Sequence, residues 1–300
     1  MASPRLSRFE RSPEVAPFQL TERDKEIIRL VYRHRFLRSS HIRALMSGSA
    51  QQLLRRLKLL YHHGYLTRPR AQIDYYHHGG SSEMVYCLGR NGASLLKMEL
   101  GDMFRSVPWD ENSNSDRRVF LKHALLVSDI MVSIELACRQ HGIRFLTEQD
   151  LAKSNQPFRW KMNVQGQKSG VAPDRVFALE FTGSHGSVQR SYFFLEADRG
   201  TMPVIRKTAS QSSFFRKLLS YEATWNQAIH EKRFGFSRFR VLTVTNSAVR
   251  VKSLVDACSK LNSGHGLFLF ADLEILAVPH NILSHVCQTG RAGQTATLLD

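Results

Sequence analysis

The chain is poor in cysteine, in long apolar runs and above all in acid. Its four cysteines, Cys87, Cys138, Cys258 and Cys287, lie far apart and form no C-x-x-C pair. Neither a zinc site nor a disulfide framework is signalled, and free buried thiols in a reducing compartment are expected. No apolar run reaches about 18 residues, so no membrane-spanning helix is expected. The first 17 residues, MASPRLSRFERSPEVAP, lack an apolar core after their basic residues. They do not read as a secretory signal, and 1–18 is expected to be a disordered basic arm in a cytoplasmic protein. There is no internal repeat and no long low-complexity tract.

Against 42 Lys and Arg stand only 26 Asp and Glu, a net charge of +16. Such a chain attracts polyanions, of which nucleic acid is the commonest and an anionic membrane surface the other candidate. An apolar content of 42% over 300 residues allows one large domain or two medium ones. The shortage of acid is local. Residues 27–73 hold ten Lys and Arg and no Asp or Glu, and residues 1–92 carry a net of +9.

That acid-free stretch has helical punctuation. Thr21 can cap a helix with Asp24 as reciprocal partner, and Ile27, Ile28, Leu30 and Val31 give it an apolar stripe. Ser39 or Ser40 starts a short second helix. Ser47-Gly48-Ser49 turns the chain into a third, which carries Leu53, Leu57, Leu60 and Tyr61 on one side and ends at Gly64. Tyr65–Arg68 and Met84–Leu88 read as two strands joined by a polar loop with His77, His78, Gly79 and Gly80. A further helix follows to Leu100. Three helices and a two-stranded wing are a winged helix-turn-helix, spanning 19–100, whose third helix suits a major groove. Gln51, Gln52, Arg55 and Arg56 are candidates to reach base edges, and Lys58, Arg68 and Arg70 to contact phosphates. The expected partner is double-stranded DNA. The Leu face of helix 3 suits a domain core better than a membrane surface. No heptad pattern declares a dimer, so a homodimer stays open. The adjacent pairs His62-His63 and His77-His78 lack the i, i+4 spacing of helix-borne metal ligands.

Residues 101–117 break all periodicity, and Pro108 with an Asn/Ser/Asp cluster marks a linker. From 118 to 278 the pattern runs helix, three strands, helix, strand, helix, strand, an α/β layer fold with a mixed sheet. Residues 279–300 read as a tail. In this half, Pro173-Asp174 precedes one apolar run and Glu196-Ala197-Asp198-Arg199-Gly200 ends the next. If the hairpin between them turns at His185, Asp174 sits opposite Glu196. Glu196 and Asp198 then share a face, because strand side chains alternate. Three converging carboxylates need a cation, and hard oxygen ligands suit Mg²⁺ or Mn²⁺. Glu148 and Glu135 are candidates for a fourth carboxylate. In a strongly basic protein this suggests phosphodiester chemistry.

The element order, with Pro173-Asp174 and Glu196-Ala197-Asp198, resembles the PD-(D/E)xK nuclease superfamily. The whole, with Leu20-Thr21-Glu22-Arg23-Asp24 and Glu196-Ala197-Asp198-Arg199-Gly200-Thr201, resembles the replication-relaxation family of plasmids and other mobile elements, over roughly 20–275. The resemblance implies Mg²⁺ held by Asp174 and Glu196, a role in plasmid replication and DNA relaxation, and association with plasmid or nucleoid. Other replication or mobilisation proteins are conceivable partners. One departure stands out: the third motif position, a Lys in the superfamily, is Asp198. Members can carry the Lys on the following helix, where Lys217 fits better than Lys207. With Lys217, or by the metal alone, the chain would be a metal-dependent DNA endonuclease or nickase. Without such chemistry it would be a DNA-binding regulator on a nuclease-like scaffold.

Overall fold

The computed structural model describes residues 7–15, 17–73, 83–105, 116–152, 157–164, 166–182, 186–206, 212–278 and 280–300. The histidine loop at 77–78, most of the linker, His185 and Lys207 lie outside the described residues. The fold is mixed α/β, and contacts divide it into two compact units, 1–132 and 133–300.

In the first unit the capping box forms as expected. Thr21 accepts from the Asp24 amide, and Asp24 Oδ2 accepts from the Thr21 amide at 2.8 Å, starting α1 (Glu22–His34). Arg35 ends α1 with φ of +70°, and the chain turns into β1 (Phe36–Arg38). The sequence reading placed no strand here. Three residues are too few to show alternation, and a left-handed Arg leaves no signal in composition. Then follow α2 (Ser39–Leu45), α3 (Ala50–His62), β2 (Leu66–Thr67), β3 (Val85–Leu88) and α4 (Arg90–Leu100). The strands form an antiparallel sheet in the order β1-β3-β2. Ile27, Ile28, Val31, Leu53, Leu57 and Leu60 are all buried, each contributing about 1.5–3 kcal/mol of hydrophobic stabilisation.

The N-terminal segment departs from the expected free arm. Arg11 donates to the carbonyls of Tyr61 and Leu66 at 3.0 and 3.2 Å, and Phe18 stacks on His63. An arginine offers a fork of donors that bridges the Tyr61 carbonyl in the last turn of α3 and the Leu66 carbonyl of β2, and the segment docks there.

The division between units falls inside α5 (Asp116–His141), beyond the linker expected at 101–117. Phe36, Val85, Cys87 and Leu121 form one buried cluster, so the start of α5 packs into the first unit. The second unit continues with β4 (Arg144–Thr147), α6 (Glu148–Leu151), β5 (Trp160–Val164), β6 (Gln167–Val171), β7 (Arg175–Thr182) and β8 (Val188–Asp198). It ends with α7 (Phe214–Asn226), β9 (Arg240–Thr245), α8 (Ala248–Cys258), β10 (Phe268–Asp272), β11 (Cys287–Thr289) and β12 (Thr295–Ala296).

Among the described residues, seven strands form one mixed sheet in the order β12-β11-β10-β9-β8-β7-β4, with β8, β9 and β10 parallel. The expected tail therefore adds two strands to the sheet. Short polar strands such as Cys287-Gln288-Thr289 carry little periodicity, and pairing with β10 defines them. The apolar run after Pro173 is the single strand β7, and it is preceded by two strands, β5 and β6, that the sequence reading did not place. Pro173 lies between β6 and β7, and β6 pairs with β5 in a separate two-stranded sheet. Over the parallel strands lies an aromatic core of Trp160, Phe194, Tyr221, Phe239 and Phe268. Among the described residues no helix is long and apolar enough to cross a membrane.

Candidate functional site

The β7–β8 hairpin sets the geometry. Arg175 pairs with Leu195 and Thr182 with Val188, the register expected for a turn centred on 185. Continued by one residue, it places Asp174 opposite Glu196. The Asp174 amide donates to the Leu195 carbonyl at 3.0 Å, and Asp174 Oδ2 accepts from the Ala197 amide at 2.8 Å.

Glu196 is almost wholly buried and has two partners on α7. Oε2 accepts from Lys217 Nζ at 2.5 Å, and Oε1 accepts from the Tyr221 hydroxyl at 2.6 Å. Lys217 and Tyr221 are four apart on a helix and so lie on one face. Burial raises the Glu196 pKa above the ordinary carboxylate value; the Lys217 charge opposes this and the Asp174 charge adds to it. Burial would lower the Lys217 pKa, but the Glu196 charge and hydrogen bond outweigh it and the net shift is upward. Burial, reinforced by Glu196, pushes Tyr221 well above its usual value and keeps it a donor.

The expected convergence of four carboxylates does not form. Asp198 is gripped by Arg250, whose Nε donates to Oδ2 at 2.8 Å, and it also accepts from Thr245 Oγ1 and the Gly200 amide. Gly200 has φ of +72°, and a Cβ there would lie 2.6 Å from Asn246 Nδ2, so this turn requires glycine. Glu148 is taken by Arg175, which donates from Nε and Nη2 at 2.8 Å each, and by the Val176 amide. Glu135 pairs with Arg139. Each of these acids meets an arginine that compensates its desolvation, so none remains as a shared ligand. Among the described residues no three His, Cys, Asp or Glu side chains are grouped to hold a metal ion.

What remains of the expected site is Asp174, Glu196 and Lys217. Mg²⁺ is commonly held by one or two carboxylates and several waters, and the Asp174/Glu196 pair fits that donor set. On the neighbouring strand Thr243 is in register with Glu196, and its buried Oγ1 has no hydrogen-bond partner among the described residues. A cleft of about 300 Å³ opens beside Glu196, lined also by Lys168, Ser213, Arg216 and Lys217. Its cations suit a phosphate.

In the first unit α3 presents Gln51, Gln52, Arg55 and Lys58 as exposed side chains, and Arg70 is exposed after β2. Arg56 and Arg68 turn inward. Arg56 Nε donates to Oδ1 of the fully buried Asp24 at 2.8 Å, and its guanidinium lies over Phe18 at 4.6 Å. Arg68 lies over Tyr61 at 4.0 Å and donates to the Arg8 carbonyl at 2.7 Å. Both had been assigned to DNA. The acid-free window concealed their partners because Asp24 lies just outside it, and carbonyls and rings are invisible to a charge count.

Sequence reasoning missed Tyr221 and Arg250. For Tyr221, its i, i+4 spacing from Lys217 is a usable signal. Arg250 carried no signal, since its approach to Asp198 depends on β9 lying beside β8.

No curated protein and no solved structure gives a significant match to the chain. A family model for replication-relaxation proteins matches residues 28–238, well over half of the sequence and including both the α3 surface and the Asp174–Glu196–Lys217 group. On that match the chain belongs to the replication-relaxation family.

Proposed function

We propose that this chain is a DNA-binding protein acting in the replication or relaxation of plasmid or other mobile-element DNA. Its first unit is read as a winged helix-turn-helix with α3 as the groove-entering helix. The exposed Gln51, Gln52, Arg55 and Lys58 on α3, within a 47-residue stretch lacking acids, carry this reading. Thirteen helical residues span about 20 Å, enough to lie across a major groove roughly 12 Å wide. Duplex affinity measured against salt concentration tests it. Each phosphate contact contributes about −0.9 to the slope of log K on log salt, so removing Lys58 or Arg70 reduces the slope by about 1. Slopes unchanged in both Lys58→Ala and Arg70→Ala, at unchanged affinity, would refute the assignment.

A second reading is favoured by the Lys217–Glu196 contact: the second unit nicks DNA as a PD-(D/E)xK-like nuclease. Asp174 and Glu196 would hold Mg²⁺ or Mn²⁺. The ion would polarise the phosphate and lower the pKa of its bound water. Lys217 would neutralise charge near the scissile phosphate, Tyr221 would orient Glu196, and Arg216 and Lys168 would position the backbone. Supercoiled plasmid should then become nicked or linear with Mg²⁺ or Mn²⁺ and not in EDTA, and neither Asp174→Ala nor Lys217→Met should give product. No product with any metal, with duplex binding retained, would make the chain a non-catalytic regulator on a nuclease-like scaffold.

A further inference from the structure

The sheet of the second unit has a gap. β7 runs beside β8 from Val188 onward, but β9 joins β8 only at Phe193, opposite Arg240. Among the described residues no strand covers the other edge of 188–192. A cleft of about 710 Å³ fills this gap, within the 300–1,000 Å³ typical of ligand pockets. It lies at the opposite end of β8 from Asp198, about 20 Å along the strand from Tyr192, and it is not the Glu196 cleft.

Its lining combines rings with arginines: Tyr192, Trp225 and Phe239, with Arg190, Arg238 and Arg240. Tyr192 stacks on Phe236 at 4.1 Å and Trp225 on His230 at 4.8 Å, so each ring is held rigid on one face. Arg190 is paired with Glu180, and Arg240 donates to the Thr297 carbonyl at 3.2 Å. Arg238 is exposed and has no carboxylate partner among the described residues. Of the acids nearby, Glu180 is bound by two arginines, and Asp300, which lines the cleft, accepts from Thr297 and is offset by Arg240, which leaves Arg238 uncompensated. The residual charge is positive.

We infer that this cleft binds a nucleotide of single-stranded DNA, the base against the Tyr192/Trp225 wall and the phosphate at Arg238 and its neighbours. Rings beside cations are the chemistry by which single strands are held, each stacked base contributing about 1–3 kcal/mol. A concave cleft admits a splayed base and excludes a stacked duplex. A five-residue open edge ringed by arginines also favours a polyanion over an added peptide strand. The inference extends the DNA-binding reading but uses no residue of α3.

The test titrates the full chain with a 12-mer of deoxythymidylate, following tryptophan fluorescence and, separately, anisotropy of labelled oligonucleotide. Expected are quenching that is lost in Trp225→Phe and a dissociation constant raised at least tenfold in Arg238→Glu, whose melting curve should match the parent. Lys58→Ala should weaken duplex binding and leave 12-mer binding intact; this pattern separates the two readings. Absence of quenching by the 12-mer would overturn the inference, as would an unchanged dissociation constant in Arg238→Glu. A mononucleotide binding as tightly as the 12-mer would overturn the strand assignment in favour of a free nucleotide.

Discussion

Arg56 tests most sharply whether basic residues of the first unit serve DNA or the fold. Its carboxylate partner Asp24 is fully buried, whereas Arg56 keeps 26% of its side chain exposed. Removing one partner of a buried ion pair costs about 3–5 kcal/mol, because the other is left charged without compensation. Here Asp24 retains the Thr21 amide and hydroxyl as donors at 2.8 and 2.6 Å, which reduces the loss. The cation–π contact with Phe18, worth about 0.5–1 kcal/mol, is lost as well. Arg56→Ala should therefore destabilise the first unit by about 2–3 kcal/mol, a fall in its melting temperature on the order of 10 °C. Replacing both partners, as in Asp24→Asn with Arg56→Met, should cost less than Arg56→Ala alone, since no orphan charge remains. Circular dichroism melts, with hydrogen exchange of the α1 amides, measure this; anisotropy on a duplex runs alongside. An Arg56→Ala protein that melts like the parent but loses DNA affinity would refute the structural assignment and restore Arg56 to the groove.

Two further predictions follow from the ionisable groups. Burial acts to raise the Asp24 pKa, but hydrogen bonds from Arg56 and Thr21 and the Arg56 charge outweigh it and hold it below the ordinary carboxylate value. The stability it contributes is thus present above its unfolded pKa and lost as pH falls through the folded value. Urea unfolding of the first unit should weaken below about pH 4, and an equally steep decline in Asp24→Asn would sink this account. Burial pushes the thiols of Cys138, Cys258 and Cys287 up to about 12. In native protein at pH 8 they should resist a disulfide reagent and react once urea is added; rapid native labelling of any of them would contradict the packing described.

What could be read in advance was what depends on short-range rules. The α1 capping box needs only residues 21 and 24, and the hairpin register only the spacing from 174 to 196. The α3 stripe repeats within its own helix. What escaped depends on the order of strands in the sheet. Arg250 reaches Asp198 because β9 lies parallel to β8 and launches α8 beside it, fifty residues further along the chain. The terminal strands exist because β10 offers them an edge. Arg56 and Arg68 look like any surface arginine until Asp24 and Tyr61 are placed against them.

Under the proposed nuclease reading, the same dependence on topology bears on the Asp198 position, where the PD-(D/E)xK pattern has a lysine. An aspartate where a lysine is expected would be a defect if charge had to come from the strand. In this fold two helices supply it instead. Lys217 on α7 stands against Glu196, and Arg250 on α8 stands against Asp198. Each strand carboxylate has one helix cation, so the acidic pair is matched within a protein of strong positive charge. Arg250 also donates to the Met202 carbonyl at 2.5 Å, tying the turn after β8 to α8. Asp198 is thereby a strut for that turn, and under the proposed nuclease reading the lysine role falls to Lys217. Removing Arg250 and removing Lys217 should accordingly separate: the first loosens the 198–202 turn, the second leaves the fold standing and takes away the only cation bonded to Glu196 among the described residues.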